Sequence, residues 1–306
     1  MKEGMKMLKG IDVSEHQGVI NWNEVKGNVD FAMLRAGYGH NNIDKQFVRN
    51  IKECNRLGIP VGIYWFSYAL NESMARQEAK YALAAVKDYR LEYPIAFDFE
   101  YDTVRYAKQN GVNVTKRFAT DLVKAFCLEI ENSNYYAMNY TNQDFLLNMF
   151  YFSEIKRFCP WYAWYNKTLN RSDVGMWQYT ESGTMPGISG SSVDMNYAYV
   201  DFAKDIRNRG LNNIKPSKPS NDDKEIKRYS ENGVCTITTA SGLNIRAAAS
   251  TESEIVGKYN KGEKVTYDLV VITEKYTWLS WIGGSGKRRY MAYKNRKTGE
   301  KWGVCK

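Results

Sequence analysis

The chain has 306 residues, 43% of them hydrophobic and 14% aromatic, which is material for a sizeable core and more length than one average domain uses. No run of about 18 apolar residues occurs, which excludes a helical membrane span. The two histidines, His16 and His40, lack an H-E-x-x-H frame, and the five cysteines lack a C-x-x-C pair. Together these absences argue against a zinc centre and a disulfide scaffold. No metal and no cofactor are expected. The cysteines read as mostly reduced thiols, and spacing alone does not support a Cys235–Cys305 link.

The opening residues, Met1 to Met7, have no apolar core of a signal peptide. Residues 8–13 read as a strand ending near Asp12, and Phe31 to Gly39 as a second strand ending in a glycine turn. An amphipathic helix over 45–57 is closed by Gly58. Pro60 to Ala69 reads as a third strand, followed by a helix capped by Asn71 and running to about Asp88.

The fourth strand begins after Pro94 and ends in acids. Pro94 to Phe97 is apolar and suits a covered sheet. Asp98 and Glu100 are two residues apart, so in an extended chain they share a face, about 6.5–7 Å apart, with Phe97 and Phe99 on the other. Two carboxyls that close in partial burial cannot ionise equally. One proton held and one charge kept is the arrangement that glycosidic cleavage uses.

Thr115 caps a further helix whose core stripe is Phe118, Leu122, Phe126 and Ile130. Residues 135–141 read as a fifth strand, with shorter strand signals at 161–164, 175–180 and 192–200. Strands alternating with helices, and polar groups collecting at strand C-termini, indicate an α/β fold: an irregular, TIM-like β/α barrel over residues 1–210. In such a barrel Asp12, Asp98, Glu100 and Asp194 converge on one mouth.

Residues 1–210 hold 25 Lys and Arg against 24 Asp and Glu, a net of +1, while residues 211–306 hold 18 against 10, a net of +8. The positive charge therefore belongs to the C-terminal part and suits an anionic partner there. Residues 211–232, with Lys215-Pro-Ser-Lys-Pro-Ser, read as a charged, proline-broken linker. Residues 233–306 carry short strand signals between turns and read as a small all-β barrel.

The motifs Gly10-Ile-Asp-Val-Ser-Glu-His-Gln-Gly18, Arg35-Ala-Gly-Tyr-Gly39, Gly62-Ile-Tyr-Trp-Phe66, Phe97-Asp-Phe-Glu100, Met176-Trp-Gln-Tyr179 and Val193-Asp-Met-Asn196 stand in a fixed order. As a set over residues 8–205 they resemble the Chalaropsis-type lysozymes, family 25 of the glycoside hydrolases. Gly242-Leu-Asn-Ile-Arg246, with Ile255-Val-Gly257 and Gly262, resembles bacterial SH3-like wall-binding domains. The whole layout resembles phage endolysins of Gram-positive hosts. The resemblance implies cleavage of the β-1,4 bond between N-acetylmuramic acid and N-acetylglucosamine in peptidoglycan. It implies Glu100 as general acid, Asp98 as the acid that aids the sugar intermediate, and Asp12 and Asp194 as further acids of the cleft. Tyr64, Arg35, Tyr140, Trp177 and Gln178 fall where the family lines or braces its groove. The family's course is described as retaining, and the residues leave open whether the substrate's acetamido group is the nucleophile. A departure from the pattern, Tyr101 to Val114, is expected to reshape the groove.

Competing readings are a non-catalytic glycan binder on the same barrel and a wall amidase or peptidase. The basic C-terminal part also suits a nucleic-acid binder, but no helix-turn-helix or zinc-finger pattern accompanies it, and no nucleic acid is expected as partner. The expected partners are bacterial peptidoglycan and, for the C-terminal part, an anionic wall polymer. Without a signal peptide the chain is expected to be made in a host cytoplasm and to act at the wall after release. Oligomeric state is not legible.

Overall fold

The computed structural model describes residues 7–214, 223–253, 255–284 and 286–306. The chain divides into two compact units, Met1–Pro216 and Ser217–Lys306.

The first unit runs β1 (Leu8–Val13), α1 (Trp22–Val25), β2 (Phe31–Tyr38), β3 (Asn42–Ile43), α2 (Phe47–Leu57), β4 (Val61–Phe66), α3 (Glu72–Val86) and β5 (Ile95–Asp98). It continues with α4 (Tyr101–Gln109), α5 (Lys116–Asn132), β6 (Ala137–Asn142), α6 (Phe152–Ile155), β7 (Pro160–Ala163), β8 (Met176–Gly183), β9 (Val193–Ala198) and α7 (Phe202–Arg209). The strands pair in the order β1-β2-β4-β5-β6-β7-β8-β9 and back to β1, which closes the barrel, with β3 added on the flank of β2. Neighbours from β1 to β8 are parallel. β9 runs antiparallel to β8 and to β1.

Helix boundaries follow local chemistry. The Asn71 side chain accepts from the Met74 N–H at 2.9 Å, and the Thr115 hydroxyl accepts from the Phe118 N–H at 3.1 Å, so both caps satisfy amides that the helix leaves over. Gly58 ends α2 at φ 69°, a left-handed conformation that costs glycine little. Along α5, Leu122, Phe126 and Ile130 are buried, and Phe118 packs against the same core.

The barrel strands alternate, with bulges after Arg35 and Gln178. Phe31, Met33, Ala96, Met138, Trp161 and Met176 fill the interior. Their neighbours in sequence, such as Ala32, Leu34, Ile95 and Phe97, join the shell between strands and helices. Gly62 admits this filling: a Cβ there would stand 2.6 Å from the Met33 sulfur.

The second unit is one antiparallel sheet of β10 (Glu225–Ile237), β11 (Leu243–Arg246), β12 (Ile255–Tyr259), β13 (Lys264–Thr273), β14 (Tyr276–Ile282), β15 (Arg288–Asn295) and β16 (Gly303–Cys305), in the order β12-β11-β15-β14-β13-β10-β16. Its core is Cys235, Ile237, Val265, Tyr267, Val270, Leu279 and Met291.

Several expectations change. Residues 225–232, assigned to the linker, are the first half of β10. That half is exposed on both faces, so it shows no apolar alternation, and its pairing with β13 decides it. At the other end of the expected linker, Asn212 is buried: its Nδ2 donates to the Leu91 and Tyr93 carbonyls at 3.0 Å each, and its Oδ1 accepts from the Tyr136 N–H at 2.8 Å. Residues 211–214 therefore pack with the barrel. The proline-broken stretch 215–222 and the opening residues 1–6 lie outside the described residues. Glu100 is not in a strand: β5 stops at Asp98, and Glu100 is the N-cap of α4. Its backbone stays extended, at φ −127° and ψ −175°, so its side chain still leaves on the same side as that of Asp98. The stretch Tyr101 to Val114, expected to reshape the groove, begins with α4, the helix that Glu100 caps.

Candidate active site

One end of the barrel holds a cavity of about 200 Å³ lined among others by Asp12, Arg35, Tyr64, Asp98, Glu100, Tyr140, Gln178 and Asp194. Inward positions of successive strands supply them. The rim is the C-terminal end of the parallel strands. Asp194 reaches it from the N-terminal end of β9, because that strand runs the other way and sets Asp194 opposite Asp12. The rule that site acids end strands therefore holds for Asp12 and Asp98 and fails for Asp194.

The four acids form two pairs. Asp98 and Glu100 leave the chain on the same side and act on each other directly. Burial pushes the Asp98 carboxyl well above the usual carboxylate range, and the Glu100 charge pushes it further. Burial also raises Glu100, against the lowering effect of the Asp98 hydrogen bond. Asp98 Oδ1 is buried with no donor in reach among the described residues, which leaves a carboxyl proton to fill that place. The pair thus titrates as a unit holding one proton between two acids.

In the second pair, Asp12 Oδ2 accepts from Asn196 Nδ2 at 2.7 Å and Gln178 Nε2 at 2.9 Å. Burial raises its carboxyl and these amides lower it. Asp194 has fewer donors and faces the Asp12 charge; burial first, then Asp12, pushes it up to about 9. Asp194 therefore keeps its proton at neutral pH, while the amides on Asp12 favour that group's charged form.

Gln178 is oriented by its acceptors and donors together. Its Oε1 accepts from the Tyr140 hydroxyl at 2.8 Å and the Tyr165 hydroxyl at 3.0 Å, which turns Nε2 toward Asp12. Asn196 is fixed likewise, because its Oδ1 accepts from Trp161 Nε1 at 2.8 Å. Tyr64 and Tyr140 both set their ring edges on Trp161, at 5.9 and 5.0 Å between centroids.

Behind the acid pair stands a polar brace. The Ser67 N–H donates to the Asp98 carbonyl at 2.8 Å, and the Ser67 carbonyl accepts from the Thr103 hydroxyl at 2.8 Å. The Thr103 oxygen in turn accepts from the Glu100 N–H at 3.2 Å. The turn carrying Ser67 is held by Glu78 of α3, which accepts from the Ser67 hydroxyl at 2.6 Å and the Tyr68 N–H at 2.8 Å. Burial pushes the Glu78 carboxyl up to about 7.

Of the residues expected to line the groove, Arg35, Tyr64, Tyr140 and Gln178 face the cavity. Arg35 does not pair with the site acids: it binds Asp44 at 2.9 Å and Glu15 at 3.0 Å. Trp177 lies on the other face of β8 from Gln178, donates from Nε1 to the Trp164 carbonyl at 2.7 Å and packs on Tyr179 and Tyr197. It is not among the residues lining the cavity, because adjacent residues of a strand point to opposite faces. Trp161, Tyr165 and Asn196 were not singled out as site residues. Asn196 had a signal, standing two residues after Asp194 in the same strand; Tyr165 lies in a loop and had none.

In the second unit Arg288 lies 2.6 Å from Asp268. A separate cavity of about 340 Å³ is lined by residues that include Asn244, Arg246, Tyr276 and Trp302.

Residues 11–188 match the glycosyl hydrolases family 25, and residues 227–292 match the bacterial SH3 domain. An autolytic lysozyme of Clostridium acetobutylicum is 26% identical over 254 residues, which cover 81% of this chain and 70% of that protein. A probable autolysin of Staphylococcus aureus is 29% identical over 93 residues, 29% of this chain and 19% of that protein. The modular autolysin LytC of Streptococcus pneumoniae, solved in complex with a synthetic peptidoglycan ligand, superposes with a TM-score of 0.56 at 30% identity over 62% of this chain. This chain spans less than half of that structure, 46%, and about a fifth of the staphylococcal protein, 19%.

Proposed function

The chain belongs to family 25 of the glycosyl hydrolases, and on that premise we propose that it is a peptidoglycan hydrolase, a lysozyme cutting the β-1,4 bond between N-acetylmuramic acid and N-acetylglucosamine. The observation that carries the reading is the Asp98–Glu100 pair: two carboxyls that act on each other, both pushed up, at the wall of an open cavity.

Glu100 is the proton donor. The proton held by the pair crosses from Asp98 to Glu100 and passes to the glycosidic oxygen as the bond to the anomeric carbon breaks. The pair is then doubly negative and faces the positive charge developing on the sugar. Asp98 and Glu100 leave the chain on the same side, whereas an acid and a carboxylate nucleophile flank the sugar from opposite faces, about 5–5.5 Å apart. Asp98 therefore serves the intermediate electrostatically and does not attack it. The attacking atom is the acetamido oxygen of the substrate, which closes a ring on the anomeric carbon. Water then opens that ring and returns its proton to Glu100. Asp12, held by its two amide donors, and the protonated Asp194 bind sugar hydroxyls at the cavity's other wall, with Gln178, Tyr140, Tyr64 and Arg35 bordering the groove.

The SH3 unit holds the wall, and the net positive charge of residues 211–306 draws it to an anionic wall polymer. The reading includes synthesis in a host cytoplasm and action at the wall after release, as in an endolysin. Purified walls digested by the chain are expected to gain reducing ends, with mass spectrometry of the fragments showing muramic acid at the new ends. Release of amino groups alone would make it an amidase or peptidase, and release of neither would make it a binder.

A further inference from the structure

We infer that Cys235 and Cys305 form a built disulfide site, one that reacts with small-molecule disulfides and ends as an intramolecular bond fixing β16 to β10. The two cysteines are register partners across antiparallel strands. Their neighbours Val234 and Lys306 exchange both N–H···O bonds, at 3.0 Å each, so Cys235 and Cys305 occupy the adjoining position that exchanges none. Opposed residues at such positions stand about 4.5 Å apart at Cα, with side chains at their closest. That spacing lies within the roughly 4.4–6.8 Å that a disulfide spans.

Both side chains turn to the same face. Cys235 is fully buried in the core of the second unit, and Cys305 packs on that core from its partly exposed strand. Each thiol shifts the titration of the other. Gly303 leaves room for the buried sulfur: a Cβ there would lie 2.7 Å from Cys235 Sγ. Cys54 and Cys127 differ, since each is buried in a barrel helix where burial pushes the thiol up.

The two thiols have unequal parts. The interaction with Cys235 holds Cys305 below the usual thiol range, against burial and the Glu231 charge, whereas the same interaction and burial raise Cys235. The half-exposed Cys305 thiolate is therefore the attacking group. It displaces one thiolate from a small-molecule disulfide and becomes a mixed disulfide. Cys235 then gives up its proton and attacks the Cys305 sulfur, expelling the second thiolate. Two protein thiols are oxidised and one disulfide is reduced to two thiols, so electrons and protons balance. The bond encloses every strand from β11 to β15 in one covalent loop, which restricts the unfolded unit more than the folded one.

The test treats the full chain with oxidised glutathione, alkylates what remains in denaturant and maps the peptides. A single crosslink between the Cys235 and Cys305 peptides is expected, with Cys54, Cys127 and Cys159 alkylated. Cys235→Ser is expected to stop at a glutathione adduct on Cys305. The unfolding midpoint of the second unit should rise on oxidation, return with dithiothreitol and stay unmoved in Cys305→Ser. Alkylation of all five cysteines, or a lasting adduct on Cys305 in the unsubstituted chain, would overturn the site. A crosslink without a shift in the midpoint would overturn its role as a staple. Neither result depends on the glycosidase reading.

Discussion

The barrel rim and the second unit handle charge in opposite ways. At the rim, Asp12, Asp98, Glu100 and Asp194 are drawn from water into one cavity, and all four are pushed toward their neutral forms. In the second unit Glu225 stays at the surface and is held ionised by Arg228. Burial makes protons available for chemistry, while exposure leaves a field that acts at a distance and is screened by salt. Cutting and holding are thus assigned to different physics, and perturbations should separate them.

The largest separation is expected from Glu100→Gln. It removes the transferable proton and should lower release of reducing ends by about 10²–10⁴-fold, with sedimentation of the variant with purified walls unchanged. Equal loss of both would mean that Glu100 supports the fold and not the chemistry. Next is Glu78→Ala, which removes the acceptor under Ser67 and so loosens the carbonyl of Asp98 and the amide of Glu100. A loss of one or two buried hydrogen bonds is worth on the order of 1–3 kcal/mol, or roughly 10–100-fold in kcat. KM should stay near its starting value, because Glu78 does not line the cavity.

Salt acts on the other side of the comparison. Raising ionic strength from about 0.01 to 0.15 M shortens screening from roughly 30 to 8 Å. Wall binding should weaken accordingly, while turnover of small soluble glycan fragments stays level; parallel losses would sink the division of labour.

The rim also predicts the sign of a stability change. Asp194 is raised from 3.8 to about 9 in the folded chain, so between those values the folded state binds more protons than the unfolded one. Stability therefore falls as pH rises from about 4 to about 9. Glu225 is lowered when folded, so its small, surface-screened contribution is present above about 4.5 and is lost as pH falls. Thermal unfolding of the barrel followed against pH checks the first, and Asp194→Asn should flatten the slope. The smallest effect on turnover is expected for Trp177→Phe, since its ring faces away from the cavity; unchanged kinetics with a lowered midpoint would agree with its packing on Tyr179 and Tyr197.

Local chemistry made much of this molecule legible. Asn71 and Thr115 announce helix starts by the hydrogen bonds that they alone can offer. Asp98 and Glu100, two apart on an extended chain, must share a side whether or not the strand continues. Parity also contained the answer for Trp177, since Gln178 cannot face inward unless its neighbour faces out. Other features were decided only when distant segments met. Asp194 joins Asp12 because β9 reverses direction, and residues 225–232 become strand because β13 lies beside them. Arg35 turns to Glu15 and Asp44 and not to the site acids because those carboxylates arrive from other elements. Periodicity and capping are properties of a few consecutive residues, so the chain itself carries them. Strand direction, register and the meeting of two charges depend on which surfaces come together, and only the closed barrel settles that.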